Sequence, residues 1–192
     1  MSFLTIYTPT FQRPSLLQAC VASVCAQTAV ADIQHLVIRD EVGVGIAGMF
    51  AEIGKHVQYM TGKYVYVLQD DDILADNEVV ADLQRFATAQ QQPEVIIVRN
   101  KKRNNVYPSN LGHFLQVGPK DSAIDLGNYA VRRDVFRRHV QDFGTRYAGD
   151  LDFITVLWQQ GYRFAVCDRL FAVEQLPGVP GLGRPEKELV RS

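Results

Sequence analysis

Short apolar runs alternate with amphipathic stretches along the first half of the chain. Phe3–Tyr7 (FLTIY) is apolar and β-branched and predicts a first strand. A polar TPTFQRP segment follows, and Pro14 suits the first turn of a helix, where its missing N–H costs nothing. In that helix Leu17, Cys20, Val21 and Val24 recur at helical spacing. Ile33–Ile38 predicts a second strand, ending in Arg39, Asp40 and Glu41, and Gly43-Val44-Gly45 leads into a helix carrying Ile46, Phe50, Ile53 and Val57 on one face. Tyr64–Leu68 is a third strand, Val79, Val80, Leu83 and Phe86 mark the helix after it, and Glu94–Val98 is a fourth strand. Strand–helix units with short connections predict an α/β fold with a mainly parallel central sheet covered by helices on both faces.

From Arg99 the pattern changes. RNKKRNNVYPSNLGHF is polar and broken by Asn, Pro and Gly, and reads as loop or short antiparallel strands. Asp125–Val131 predicts a strand and Arg132–Val140 a short basic helix. Gly149 or Asp150 opens a helix with Leu151, Ile154, Leu157 and Trp158 on one face, Trp158 being core. Gly161 stops it, and Arg163–Cys167 returns as a strand. One domain is expected over residues 1–175, followed at 176–192 by a Gly/Pro-rich tail, mobile or strapped over the site.

Composition narrows the class. At 192 residues, 47% apolar and a net charge of −1, the chain can bury a core and has no global pull toward nucleic acid or membrane. No apolar run approaches membrane-spanning length, and the start lacks a signal-peptide pattern. Cys20, Cys25 and Cys167 have no metal-ligand spacing and read as reduced core thiols of a cytoplasmic protein.

The candidate chemistry centres on GKYVYVLQDDDILAD, where a buried-type strand ends on Asp70, Asp71 and Asp72. Adjacent carboxylates repel and resist desolvation, so a divalent cation such as Mn²⁺ or Mg²⁺ is the natural neutraliser. The alternative is a solvated turn whose Asp76 or Asn77 caps the next helix. Gly43, Gly45 and Gly48 also match the dinucleotide fingerprint G-x-G-x-x-G. Against a nicotinamide-binding protein stand the complete strand–loop–helix before the motif, three acids where a ribose needs one, and no second set of alternating units. The glycines can still serve phosphate at a helix start.

These segments, in order, resemble family 2 glycosyltransferases. TIYTPTFQRPSLLQACVASVCAQT is similar to the family's opening, Asp40 falls at its second-strand acid, and VYVLQDDDIL at its metal-binding D-x-D-type cluster. DLGNYAVRRDVFRR is similar to its acceptor-side segment and GDLDFITVLWQQGYRF to its E-D-x-D-aromatic helix. The likeness spans about residues 3–168. It implies a GT-A type, Rossmann-like three-layer fold and an inverting, metal-assisted transfer from a nucleotide sugar, a UDP-sugar first of all. Thr8 and Pro9 are then expected near the base, Asp40 on a uracil N–H, Arg13 near the diphosphate, Gly43, Gly45 and Asp70 in the nucleotide-sugar site, and Asp70, Asp71 and Asp72 on the metal. Asp150 is the expected general base and Asp152 the second candidate.

The chain also departs from the family pattern. Two registers of the acids stay open, one centred on Asp71 and one pairing Asp70 with Asp72. Ala47-Gly48-Met49 replaces the usual A-R-N, and Gly149 stands where the family often has Glu. The Q-x-x-R-W signature of processive synthases is absent, so addition of one sugar is expected. Arg99, Lys101, Lys102 and Arg103 form one basic cluster, and Arg132, Arg133, Arg137 and Arg138 another, in the acceptor-side half. They leave open an anionic acceptor: a glycan, a lipid, or a nucleic acid whose hydroxylated bases are glycosylated. A catalytically silent sugar-nucleotide-binding protein is the other class.

Overall fold

The computed structural model describes residues 2–119, 124–144 and 147–176. The expected tail or strap lies outside them from residue 177 onward. Among the described residues no helix is long and apolar enough to cross a membrane.

The elements run β1 (Leu4–Thr10), α1 (Pro14–Cys25), β2 (Ile33–Arg39), α2 (Gly45–His56), β3 (Tyr64–Val67), β4 (Asp72–Leu74) and α3 (Val79–Ala89). Then follow β5 (Val95–Lys102), β6 (Asn105–Tyr107), α4 (Leu111–Val117), β7 (Tyr129–Arg132), α5 (Arg133–His139), α6 (Gly149–Gln159) and β8 (Phe164–Glu174). The strands form a single sheet in the order β2-β1-β3-β7-β5-β8-β4, with β6 paired to β5. β1, β2, β3, β5 and β8 point one way, and the short β4, β6 and β7 the other. The sheet is thus mostly parallel in direction, as the pattern predicted.

Alternation along the strands divides the apolar residues between two faces. Leu4, Ile6, Tyr64, Tyr66, Ile96 and Val98 pack against α1 and α3. Tyr7, Val65, Val67, Val95 and Ile97 pack against α2, α4, α5 and α6. Helices therefore cover both faces. Tyrosines fit within β3 because each hydroxyl has a carbonyl to meet: Tyr64 donates to Pro93 at 2.7 Å and Tyr66 to Gly127 at 2.8 Å.

Several boundaries differ from the sequence reading. In α1 the buried side chains are Leu16, Cys20 and Val24, a strict four-residue stripe, while Leu17 and Val21 are only half-buried. Cys20 and Cys167 are buried thiols as expected, but Cys25 is exposed at the helix end. Trp158 is only partly buried, packed edge-on to Phe114 and Phe164. Of the two forms open for the RNKKRNN segment, the antiparallel hairpin is the one found, β5 to β6. The expected strand from Asp125 begins only at Tyr129. Asp125 accepts from the Gly127 N–H and the Asn128 side chain accepts from the Asp125 N–H, which winds Leu126–Asn128 into a 3-10 turn.

Candidate active site

The carboxyl ends of β1, β2 and β3 open into a cavity of about 1020 Å³. That is the crevice where open α/β sheets hold ligands. Its walls bring together Pro9, Arg13, Asp40, Gly45, Asp70, Asp71, Lys102, Arg103 and Asp150, nine of the expected site residues.

The acid turn is neutralised by two cations. Arg13, 5% exposed, precedes α1 and donates from Nη1 to Asp70 Oδ1 at 2.9 Å and to Asp71 Oδ2 at 3.3 Å. Asp70 and Asp71 line the cavity, but Asp72 does not: it starts β4, 2% exposed, with Lys102 Nζ 3.8 Å from its Oδ2. Lys102 also lies 3.0 Å from Asp125 Oδ2 and 3.4 Å from Gln69 Oε1. Gln175, just past β8, holds the turn from behind, its side chain donating to the carbonyls of Asp70 at 2.9 Å and Leu16 at 3.0 Å. Burial raises the Asp70 carboxyl above its ordinary value against the pull of Arg13. Burial pushes Asp72 up to about 7 against the pull of Lys102. Burial works against the Lys102 ammonium, yet Asp125 and Asp72 outweigh it and hold its pKa above the usual lysine value.

Asp40 ends β2 and is engaged locally. Its Oδ1 accepts from the Val42 and Gly43 N–H groups at 2.9 and 2.7 Å, and its Oδ2 from Val44 N–H at 2.6 Å. This folds the loop into α2, with Gly43 and Gly45 at φ +77° and +68°, a region other residues rarely adopt. Gly45 lines the cavity and Gly43 does not. Thr8 is buried with its hydroxyl 2.9 Å from His35 Nε2, on the sheet face away from the cavity. The structure does not bring it beside the proposed base site; Pro9 does reach the cavity.

On the opposite wall α6 begins at Gly149. A Cβ there would lie 2.1 Å from the Phe143 carbonyl oxygen and 2.6 Å from the Phe50 ring, which is why no acid stands at this position. Asp150 follows it into the cavity wall, its Oδ1 accepting from Leu151 N–H at 2.9 Å. Burial raises its carboxyl above the ordinary value, opposed by the Leu151 N–H. Asp152 is half-buried and lies off the cavity wall.

The basic residues separate. Lys102 and Arg103 line the cavity; Arg99 pairs with Asp168 at 2.7 Å, and Lys101 is exposed. Arg132 and Arg133 lie at the other end of the sheet, because β7 runs antiparallel and sets Arg132 opposite Tyr64, the first residue of β3. Arg132 pairs with Glu94 at 2.8 Å and Asp134 at 2.6 Å, and Arg133 donates to the Thr61 carbonyl at 2.7 Å. Sequence reasoning missed Asp125 and Glu174, both on the cavity wall, and placed Lys102 in an acceptor-side cluster rather than among the acids it pairs with. The polar cap pattern D-L-G-N was the one available signal for Asp125.

No family model matches the chain, and no curated protein matches it. Solved structures do. S. aureus TarS residues 1–349 superposes with a TM-score of 0.69 at 13% identity, over 90% of this chain and 60% of that one. The same protein in complex with UDP-GlcNAc gives 0.66 at 12%, over 89% and 58%. The mannosyltransferase PcManGT from Pyrobaculum calidifontis, in complex with GDP-Man and Mn²⁺, gives 0.65 at 16%, over 93% and 58%. The chain has a glycosyltransferase fold, and it spans about 60% of the length of the TarS fragment it matches.

Proposed function

We propose that the chain is an inverting glycosyltransferase that moves one sugar from a nucleoside-diphosphate sugar to an acceptor hydroxyl. One observation carries this: a single cavity gathers Arg13, Asp70 and Asp71 on one wall and Asp150 on another, from segments far apart in sequence. The complexes of the structural neighbours with UDP-GlcNAc and GDP-Man support a nucleotide-sugar ligand.

Arg13 and the start of α2 at Gly45 give the diphosphate a guanidinium and a helix N-terminus. Asp150 accepts the acceptor's hydroxyl proton as that oxygen attacks the anomeric carbon. Its raised pKa brings it nearer to neutrality, where a general base is most effective. Asp152 is the second candidate. Arg103, on the cavity wall, is the basic residue best placed for an anionic acceptor.

The residues fit a divalent cation completed by substrate. Among the described residues no three His, Cys, Asp or Glu side chains form a ready-made metal site. Asp70 Oδ2, however, is buried with no hydrogen-bond partner among them, and Asp71 stands beside it. One or two carboxylates together with phosphate oxygens are the usual Mg²⁺ donor set. Asp70 and Asp71 would hold the ion, with Asp72 kept behind them by Lys102. Bound there, Mn²⁺ or Mg²⁺ supplies Lewis-acid stabilisation of the departing nucleotide.

Incubation of the protein and Mn²⁺ with a panel of nucleotide sugars tests the reading. Slow release of nucleoside diphosphate from at least one donor, suppressed by chelator, is expected. Saturable binding without any release, even with acceptor hydroxyls supplied, marks a silent binding protein; neither binding nor release refutes the donor site altogether.

A further inference from the structure

The part of the cavity between β1, β2 and α2 is mostly apolar and holds two polar groups, on Tyr7 and Glu52, that the proposed sugar transfer does not use. Gly45, Ile46, Met49 and Glu52 recur at helical spacing and turn one stripe of α2 to the cavity wall. Tyr7, Pro9 and Ile38 line it from the strands. Tyr7 is 0% exposed, yet its hydroxyl finds no hydrogen-bond partner among the described residues. A buried hydroxyl left in this state calls for a reason, because such groups are nearly always satisfied. Burial first, and then the charge of Glu52, raise the phenol above its ordinary value, so it is a protonated donor. Glu52 is positioned by its helix neighbours: Lys55 Nζ lies 2.6 Å from its Oε1 and His56 Nδ1 4.0 Å from its Oε2. Asp40, at the end of β2, already accepts three loop N–H groups.

We propose that Tyr7 and Glu52 read the base of the donor nucleotide and select guanine. The inference rests on the nucleotide-sugar reading of the cavity. The guanine edge sets the O6 acceptor beside two adjacent donors, N1–H and the 2-amino group. A hydroxyl answers the first, and a carboxylate, which only accepts, answers the pair. Uracil offers a single N3–H between two carbonyls, so the second carboxylate oxygen would face a carbonyl. Adenine and cytosine set an acceptor next to their amino group, with the same repulsion. From Gly45 to Glu52 the helix rises about 10 Å at 1.5 Å per residue, room for a purine below the diphosphate.

Calorimetric titration of the unmutated protein with GDP, IDP, UDP and ADP, with Mn²⁺ present, tests this. GDP should bind at least about tenfold tighter than UDP or ADP, and IDP, which lacks the 2-amino group, about tenfold weaker than GDP. Glu52→Gln should bring GDP close to UDP, and Tyr7→Phe should weaken GDP several-fold. UDP binding as tightly as GDP, or IDP matching GDP, overturns the base assignment and leaves the donor site standing. If none of the four nucleotides binds, the donor site itself is refuted.

Discussion

The two ends of the sheet both gather charged residues and use them differently. At the carboxyl ends of β1 and β3, Arg13 and Lys102 are sunk among Asp70, Asp71, Asp72 and Asp125, with Asp70 and Asp72 only 3% and 2% exposed. At the other end, Arg132, part-exposed like Lys102, meets the part-buried Glu94 and the exposed Asp134, and Arg133 braces the carbonyls of Met60 and Thr61. The difference is the burial of Arg13 and of the Asp70–Asp72 acids. A carboxylate held out of water has a raised pKa and an unspent lone pair, so it can take a proton or a cation; an exposed pair is already at rest in solvent. The denser basic run, RRDVFRR, is thus the less chemical of the two, and the isolated Arg13 the more.

Asp150→Asn gives the largest expected contrast. The amide keeps the shape of the side chain but cannot accept a proton, so turnover at saturating donor should fall about 10²- to 10⁴-fold. The Arg133→Ala change at the far end should leave turnover within about twofold. Equal losses would erase the distinction between the two ends.

Stability is the next measure. Lys102→Met strands Asp72 and Asp125 beside the cavity and should cost on the order of 3 kcal/mol in denaturant unfolding. Arg132→Met removes a half-exposed pair and should cost under about 1 kcal/mol. Similar midpoints for the two variants would show that burial does not separate the regions.

A smaller effect is the pH dependence of folding. Asp72 has a folded pKa raised from 3.8 to about 7, so its favourable contribution is complete below 3.8 and is lost as pH rises through about 7. Stability should therefore decline across that window, and Asp72→Asn should flatten the decline. An unchanged slope in the variant would mean that Asp72 is not the buried acid described here. Activity should run the opposite way, because Asp150, as the proposed base, acts in its ionised form. The acid limb of the turnover profile should lie above the ordinary carboxylate range.

Much of this was legible in the sequence because it is local. The period-two and period-3.6 runs located β1, α1, β2, α2 and β3, and a strand ending on Asp70-Asp71-Asp72 marked the site. What escaped is long-range. The direction of β7 decides on which end Arg132 and Arg133 fall, and no pattern within YAVRR reveals it. Lys102 sits in a run that reads as loop or short antiparallel strands, and β5 continues past a bulge and carries it to Asp72. Tyr7 and Glu52 each read as ordinary members of a strand and a helix. Only packing of α2 on β1 sets them on one wall.

The central claim is that the cavity at the carboxyl ends of the strands, and not the basic far end, receives the nucleotide. Amide chemical-shift mapping during titration with a nucleoside-diphosphate sugar and Mn²⁺ tests it most directly. Shifts are expected at residues 10–13, 42–52, 69–71 and 149–151, saturating together at one equivalent, with 132–139 silent. No saturable shifts, or shifts centred on 132–139, would contradict the account.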